Sequence, residues 1–266
     1  MLRRDLHKRR MTRAQRRSRT NNTARASSVD PQEVAKFSAL AQEWWNPQGK
    51  LAPLHKLNPV RLRFIREVAA HHFGRDPRCL APFAGLSLID VGCGGGLLAE
   101  PLARQGFDVL GIDVARENVA AAAAHSQLSS LPTIYRCEST ESVAAEGLSF
   151  DVVLNMEVVE HVADREVFLQ ACASLLNPGG LMFVATINRT LKALALAKLG
   201  AEYVLGWVPP GTHDWGKFVS PDALRAELER GGLSVLNVQG VSFDVLAWDW
   251  RLGSDIAVNY MIVATK

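Results

Sequence analysis

The chain has few cysteines, no long apolar run and, at one end, almost no acidic residues. Cys79, Cys93, Cys137 and Cys172 include no CxxC pair, which argues against a zinc site or a disulfide frame and reads as a reduced, cytosolic-type protein. No apolar run reaches the roughly 18 residues of a membrane span, so the protein is expected to be soluble or peripheral. What is present is 266 residues with 48% hydrophobic content, enough for one sizeable core and tight for two full domains.

The scarcity of acid is local. Residues 1–30 hold ten Lys/Arg against two Asp, a net of +8, while the remainder holds twenty Lys/Arg against twenty-five Asp/Glu, a net of −5. Three readings fit the basic tail: a disordered extension preceding a true start at Met11, a transit peptide, or an arm for nucleic acid or anionic lipid. Aromatics are missing from it, which tells against nucleic acid. Residues 1–29 are therefore expected to be a disordered basic tail dispensable for activity, and 30–266 a single domain.

Order is expected from Asp30, where Asp30-Pro31-Gln32-Glu33 has the form of an N-cap, a proline at the first helical position and a capping-box glutamate. The pattern predicts a helix to Trp45, a break at Asn46–Gly49, and a second helix from Asn58-Pro59 to about His72. From Leu86 onward, short apolar runs alternate with helical patterns. Strands are expected at Leu88–Val91, Val109–Ile112, Thr133–Tyr135, Phe150–Asn155 and Leu181–Thr186, then at Leu233–Val238 and Tyr260–Thr265. Helices are expected at Leu97–Gln105, Ala115–Gln127, Asp164–Leu176 and Pro221–Arg230. Such alternation indicates a parallel α/β sheet covered on both faces. Residues 190–218 interrupt it.

Two segments carry chemistry. In Asp90-Val91-Gly92-Cys93-Gly94-Gly95-Gly96 a strand runs into glycines and then a helix, so the backbone can approach a ligand closely and offer N–H groups. Asp113, seventeen residues beyond Gly96, stands at the end of the next strand, where a carboxylate can accept from both ribose hydroxyls. The order Gly92-x-Gly94-x-Gly96 differs from the dinucleotide fingerprint and weighs against a nucleotide-dependent oxidoreductase. In the second segment Met156 offers a soft apolar surface for an adenine ring. Glu157, Glu160 and His161 follow within five positions, at spacings that share one face of a helical turn. They are candidates for catalysis, and their intactness argues against a non-catalytic scaffold. The mildly acidic body argues against an RNA methyltransferase.

The acid-led glycine motif with its strand-end carboxylate resembles motif I of class I methyltransferases. Narrower segments are similar to the ubiquinone-biosynthesis O-methyltransferases: Pro53-Leu54-His55 through Asn58-Pro59-Val60-Arg61, Met156–Val162, Thr186-Ile187-Asn188-Arg189 and Gly211-Thr212-His213-Asp214. Two positions depart from that family's pattern: Ala257 stands where Asp is usual, and Phe243-Asp244-Val245 where Tyr-Asn-Pro is usual. The resemblance implies a Rossmann-like, mostly parallel seven-stranded sheet with N-terminal helices and a lid or acceptor-side insertion near 190–218. It implies S-adenosylmethionine as cofactor, contacted by Arg61, Gly92, Asp113 and Met156, and methylation of ring hydroxyls on polyprenyl phenol or demethylubiquinol intermediates. Another small phenolic or lipid substrate is the alternative. In some members it implies Glu157, Glu160 and His161 as metal ligands, with Mg²⁺ the candidate ion; His161 as general base is the other role open to it, since nitrogen suits Mg²⁺ poorly. A cytoplasmic enzyme is expected, peripheral at the inner membrane and near other enzymes of the pathway, or in the mitochondrial matrix if the tail is a transit peptide.

Overall fold

A computed structural model describes residues 27–194, 215–244 and 247–266. The basic tail before residue 27, most of the 190–218 insertion with its Gly-Thr-His-Asp segment, and Val245 lie outside the described residues.

One eight-stranded sheet organises the chain, in the order β3-β2-β1-β4-β5-β8-β6-β7. The strands are β1 (Ser87–Val91), β2 (Asp108–Asp113), β3 (Ile134–Cys137), β4 (Phe150–Met156), β5 (Leu176–Ile187), β6 (Ser234–Asp244), β7 (Asp249–Gly253) and β8 (Asn259–Thr265). The first five pair in parallel; β8, inserted between β5 and β6, and the outer β7 pair antiparallel. Every residue of β1 is buried, as expected for a strand covered on both faces. Leu88 packs with Val109 and Val152 on one face, and Ile89 with Leu110 and Val153 on the other.

The helices are α1 (Pro31–Ser38), α2 (Ala52–His72), α3 (Ala99–Arg104), α4 (Arg116–Leu128), α5 (Thr140–Ala144), α6 (Arg165–Ser174), α7 (Leu191–Leu194) and α8 (Pro221–Arg230). Caps set several of their starts: Asp30 accepts from the N–H of Gln32, Asp164 from Val167 and Ser220 from Ala223. None of the described helices is long and apolar enough to cross a membrane.

Five expectations need correction. The sheet has an eighth strand, β7, in a stretch too short and polar to show in the sequence pattern. The first helix ends at Ser38 and gives way to a 3-10 turn at Ala41–Glu43 rather than running to Trp45. The second helix begins at Ala52, with Pro53 in its first turn and Pro59 inside it; two prolines carried the same start signal, and the later one is tolerated because the helix is anchored by Leu57, Val60, Phe64 and Ile65 in the core. Glu157, Glu160 and His161 lie on a turn rather than a helix, with Glu157 in the left-handed region at φ +58°. The ordered body starts before Asp30. Ser28 is 2% exposed, its N–H donates to Glu141 (3.1 Å) and its carbonyl accepts from Ala163 (2.7 Å).

Candidate active site

The chain order reverses between β1 and β4, and open α/β sheets bind ligands outside the carboxyl ends of their strands at such a point. Both chemistry-bearing segments emerge there. A cavity of about 680 Å³ opens beside them, lined among others by Arg61, Gly92, Asp113, Met156, Glu160 and His161.

The glycine loop leaves β1 with Gly92 at φ +69° and Gly94 at φ +53°. Side chains are excluded here by packing as well as by conformation. A β-carbon on Gly94 or Gly95 would come within 2.3 Å of Trp44, and one on Gly92 within 2.5 Å of Val158. Trp44 donates to the Asn118 side chain (2.8 Å), and Trp45 donates to the carbonyl of Gly95 (2.9 Å) while stacking on His125 at 3.4 Å. The tryptophan pair is the brace of this loop.

Asp113 ends β2, as its position predicts. Its carboxylate accepts from the N–H groups of Gly94 (3.0 Å) and Ala115 (2.7 Å), which turns it toward the loop. Burial raises its pKa against these donors. Asp90, fully inside, is pushed up to about 7 by burial and then by the charge of Asp113. Arg61 is 3% exposed and donates to Asn58 (3.3 Å) and to the Glu157 carboxylate. Met156, at the end of β4, is buried against the cavity.

The turn after β4 distributes its three candidates differently from a metal triad. Glu157 is committed to Arg61. Glu160 is buried, its Oε2 has no hydrogen-bond partner among the described residues, and burial followed by the charge of Glu157 lifts it to about 7. His161 faces Glu33 of α1, with Nδ1 2.9 Å from a carboxylate oxygen. Burial works against the imidazolium, but the Glu33 hydrogen bond and the Glu160, Glu33 and Glu157 charges outweigh it, so the His161 pKa is raised. Glu33 falls to about 2, chiefly through that hydrogen bond. Among the described residues no group of three His, Cys, Asp or Glu side chains is arranged to hold a metal ion. With Glu157 paired to Arg61 and His161 to Glu33, the three side chains as placed do not form a Mg²⁺ site.

Glu33 and Lys217 are the residues that sequence reasoning missed. The capping-box pattern accounted for Glu33 locally, yet its oxygens turn to His161 and to Lys217 (2.9 Å). A separation of 128 residues from His161 leaves no local signal of that contact.

A family model described as a methyltransferase domain matches residues 62–238. A ubiquinone biosynthesis O-methyltransferase of Chelativorans sp. (strain BNC1) is 55% identical over 243 residues, covering 91% of this chain and 96% of that one. Its counterpart in Caulobacter vibrioides is 56% identical, covering 90% and 95%. The chain belongs to the ubiquinone biosynthesis O-methyltransferase family. The fold agrees. Magnesium protoporphyrin IX methyltransferase from Synechocystis PCC 6803, solved with bound SAH, superposes with a TM-score of 0.58 at 19% identity over 87% of this chain and 94% of that one. A methyltransferase from Clostridium acetobutylicum gives 0.59 at 12% identity, over 87% and 98%. In this methyltransferase the parallel half of the sheet carries the glycine loop and the turn after β4, and the N-terminal helices close over both.

Proposed function

We infer that the chain is an S-adenosylmethionine-dependent O-methyltransferase that methylates a ring hydroxyl on a polyprenyl phenol or demethylubiquinol intermediate of ubiquinone biosynthesis. The observation that carries the cofactor reading is electrostatic. Asp90, Asp113 and Glu160 all line one cavity and all have raised pKa values, while the cations Arg61 and Lys217 that also line it are already paired with Glu157 and with Glu33 and Asp30. Such a cavity favours a ligand that brings positive charge. The sulfonium of the cofactor supplies that charge and an activated methyl group.

The residues present fit it. Gly92 and Gly94 line the cavity in left-handed backbone conformations. Asp113 is placed for the ribose hydroxyls, and Met156 for the adenine face. Arg61, which holds a carboxylate here, suits the cofactor's α-carboxylate. The acceptor is a phenol, with a pKa of roughly 10 judged from tyrosine, so neutral solution holds little phenolate. His161 lines the same cavity and supplies a general base whose basicity is raised by its surroundings. Glu160, neutral over part of the working pH range, can hydrogen-bond a second ring oxygen. The acceptor's polyprenyl tail supports a peripheral membrane location beside other enzymes of the pathway, in the cytoplasm or, if the basic tail is a transit peptide, in the mitochondrial matrix.

Quinone profiling of a strain lacking the protein checks substrate class. Accumulation of a demethylated or hydroxylated polyprenyl phenol is expected. A wild-type quinone profile, with a different phenol or lipid left unmethylated, would replace the acceptor and leave the cofactor reading standing.

A further inference from the structure

We propose that Glu100 and His125 are positioning residues for the cofactor: together with Trp45 they close a ring of contacts on the glycine loop and hold it in the shape that receives S-adenosylmethionine. The proposal rests on the reading of that loop as the cofactor site.

Glycine loses more conformational freedom on ordering than any other residue, so the run Gly94-Gly95-Gly96 needs tethers. Two are local. The N–H of Gly94 donates to Asp113 (3.0 Å), and that of Gly96 to the carbonyl of Cys93 (2.9 Å). The third comes from far along the chain: the indole N–H of Trp45 donates to the carbonyl of Gly95 (2.9 Å). An indole keeps its aim on one carbonyl only while its plane is held, and His125 holds it. The two rings stack face to face, 4° from parallel, with centroids 3.4 Å apart. The imidazole is held in turn. Its Nδ1 lies 2.8 Å from Oε1 of Glu100, and because a carboxylate only accepts, that nitrogen carries the hydrogen. Glu100 is 1% exposed, so the bond forms away from competing water. Its second oxygen lies 3.5 Å from the Arg104 guanidinium, one turn further along α3. The backbone N–H of Glu100 donates to the carbonyl of Gly96 (3.0 Å). The contacts therefore leave the loop at Gly95, pass through Trp45, His125 and Glu100, and return to it at Gly96. They join three separate stretches: the segment after α1, helix α4 and helix α3. None of the three residues lines the cavity, so they act on the ligand through the backbone of the loop. A loop already ordered meets the cofactor without losing further freedom at binding.

Calorimetry on the full-length chain with S-adenosylhomocysteine reads the effect without turnover. H125Q removes the ring and keeps an N–H for Glu100, so no buried carboxylate is left unpaired. W45F keeps a ring and removes the N–H. Each should weaken binding by about fivefold or more, the scale of one hydrogen bond, with acceptor KM at saturating cofactor within about twofold of wild type. Because both act through one hydrogen bond, the double variant should bind no more than about twofold weaker than the worse single variant. E100Q, which keeps an oxygen for the His125 N–H, should retain more affinity than E100L, and this pair decides with W45F if H125Q does not fold. Losses that multiply in the double variant would make the two residues independent supports and overturn the proposal. So would a lowered melting temperature in H125Q with affinity kept within about twofold, since the ring would then serve stability alone. D113A tests the site separately: wild-type affinity in folded D113A would move the cofactor away from the loop and remove the role of Glu100 and His125 with it.

Discussion

Asp90 sits under the glycine loop with its carboxyl in the interior, and the N–H of Ala99 is the donor that opposes its raised pKa. A group whose folded pKa is raised favours the folded state most below its unfolded value, and that contribution is lost as pH climbs through the folded value. For Asp90 the window runs from about 4 to about 7, and Glu160 titrates in the same range. The shift corresponds to an upper limit of about 4 kcal/mol. Chemical denaturation of the protein alone should therefore show stability falling between about pH 4 and 7, and D90N should flatten the fall and be the more stable form at pH 8. A D90N curve parallel to wild type would show that the charge is accommodated. Asp113 differs because it faces the ligand. D113A should weaken S-adenosylmethionine binding at least tenfold, about 1.4 kcal/mol, through lost hydrogen bonds to the ribose and a freed Gly94 N–H. Calorimetry on the folded variant that returns the wild-type affinity counts against that role.

At the scale of elements, the N-terminal segment does more than precede the sheet. Helix α1 brings Glu33 and Phe37 to His161, and the turn after it brings Trp44 to the glycine loop. Ser28 ties the start of this segment to α5 and to Ala163, just beyond the turn after β4. A chain beginning at Ser27 should retain full turnover and melting temperature. One beginning at Asp30 loses both Ser28 hydrogen bonds, which costs about 1–2 kcal/mol and lowers melting by roughly 2–8 °C. Identical melting of the two would mean that Asp30 and Lys217 alone hold α1. Both α1 and α8 start with a residue whose side chain caps the helix, whereas Leu51, before α2, offers no side-chain cap. That is why the first two starts were legible and the third was displaced by six residues.

For the whole molecule, the proposed site implies that cofactor and proton compete for the same carboxylates, Asp90 and Glu160. Ligand binding raises stability by RT ln(1 + [L]/Kd), about 2.7 kcal/mol at 100 times Kd. S-adenosylmethionine carries one more positive charge than S-adenosylhomocysteine. Its stabilising effect should exceed that of the thioether product increasingly as pH rises from 5.5 to 8, when Asp90 and Glu160 ionise. Thermal shift measurements with both ligands at matched saturation would show the gap widening. A gap that narrows would place the sulfonium away from these groups.

Periodicity and local motifs were sufficient for the centre of the parallel half of the sheet, because β1, β2 and β4, buried on both faces, read as apolar runs and each ends at or just before glycine or acid. The same motifs put Gly92, Asp113 and Met156 at or next to strand ends, and all three line the cavity. Strand β7 escaped because an exposed edge strand needs no apolar run; Asp249-Trp250-Arg251 is held by pairing to Phe243 and Ser242. Arg61 and Glu157 were named separately, and only folding made them a pair across 96 positions. The turn at Glu157 departs from the helix suggested by the Glu-x-x-Glu-His spacing because the Glu157 N–H bonds to Ala185 of β5. The grip of Glu33 on His161 is likewise a product of the tertiary structure. Hydrophobic pattern specifies which face of an element is buried, whereas the partner of a buried charge depends on which distant elements the packed core brings within hydrogen-bond reach.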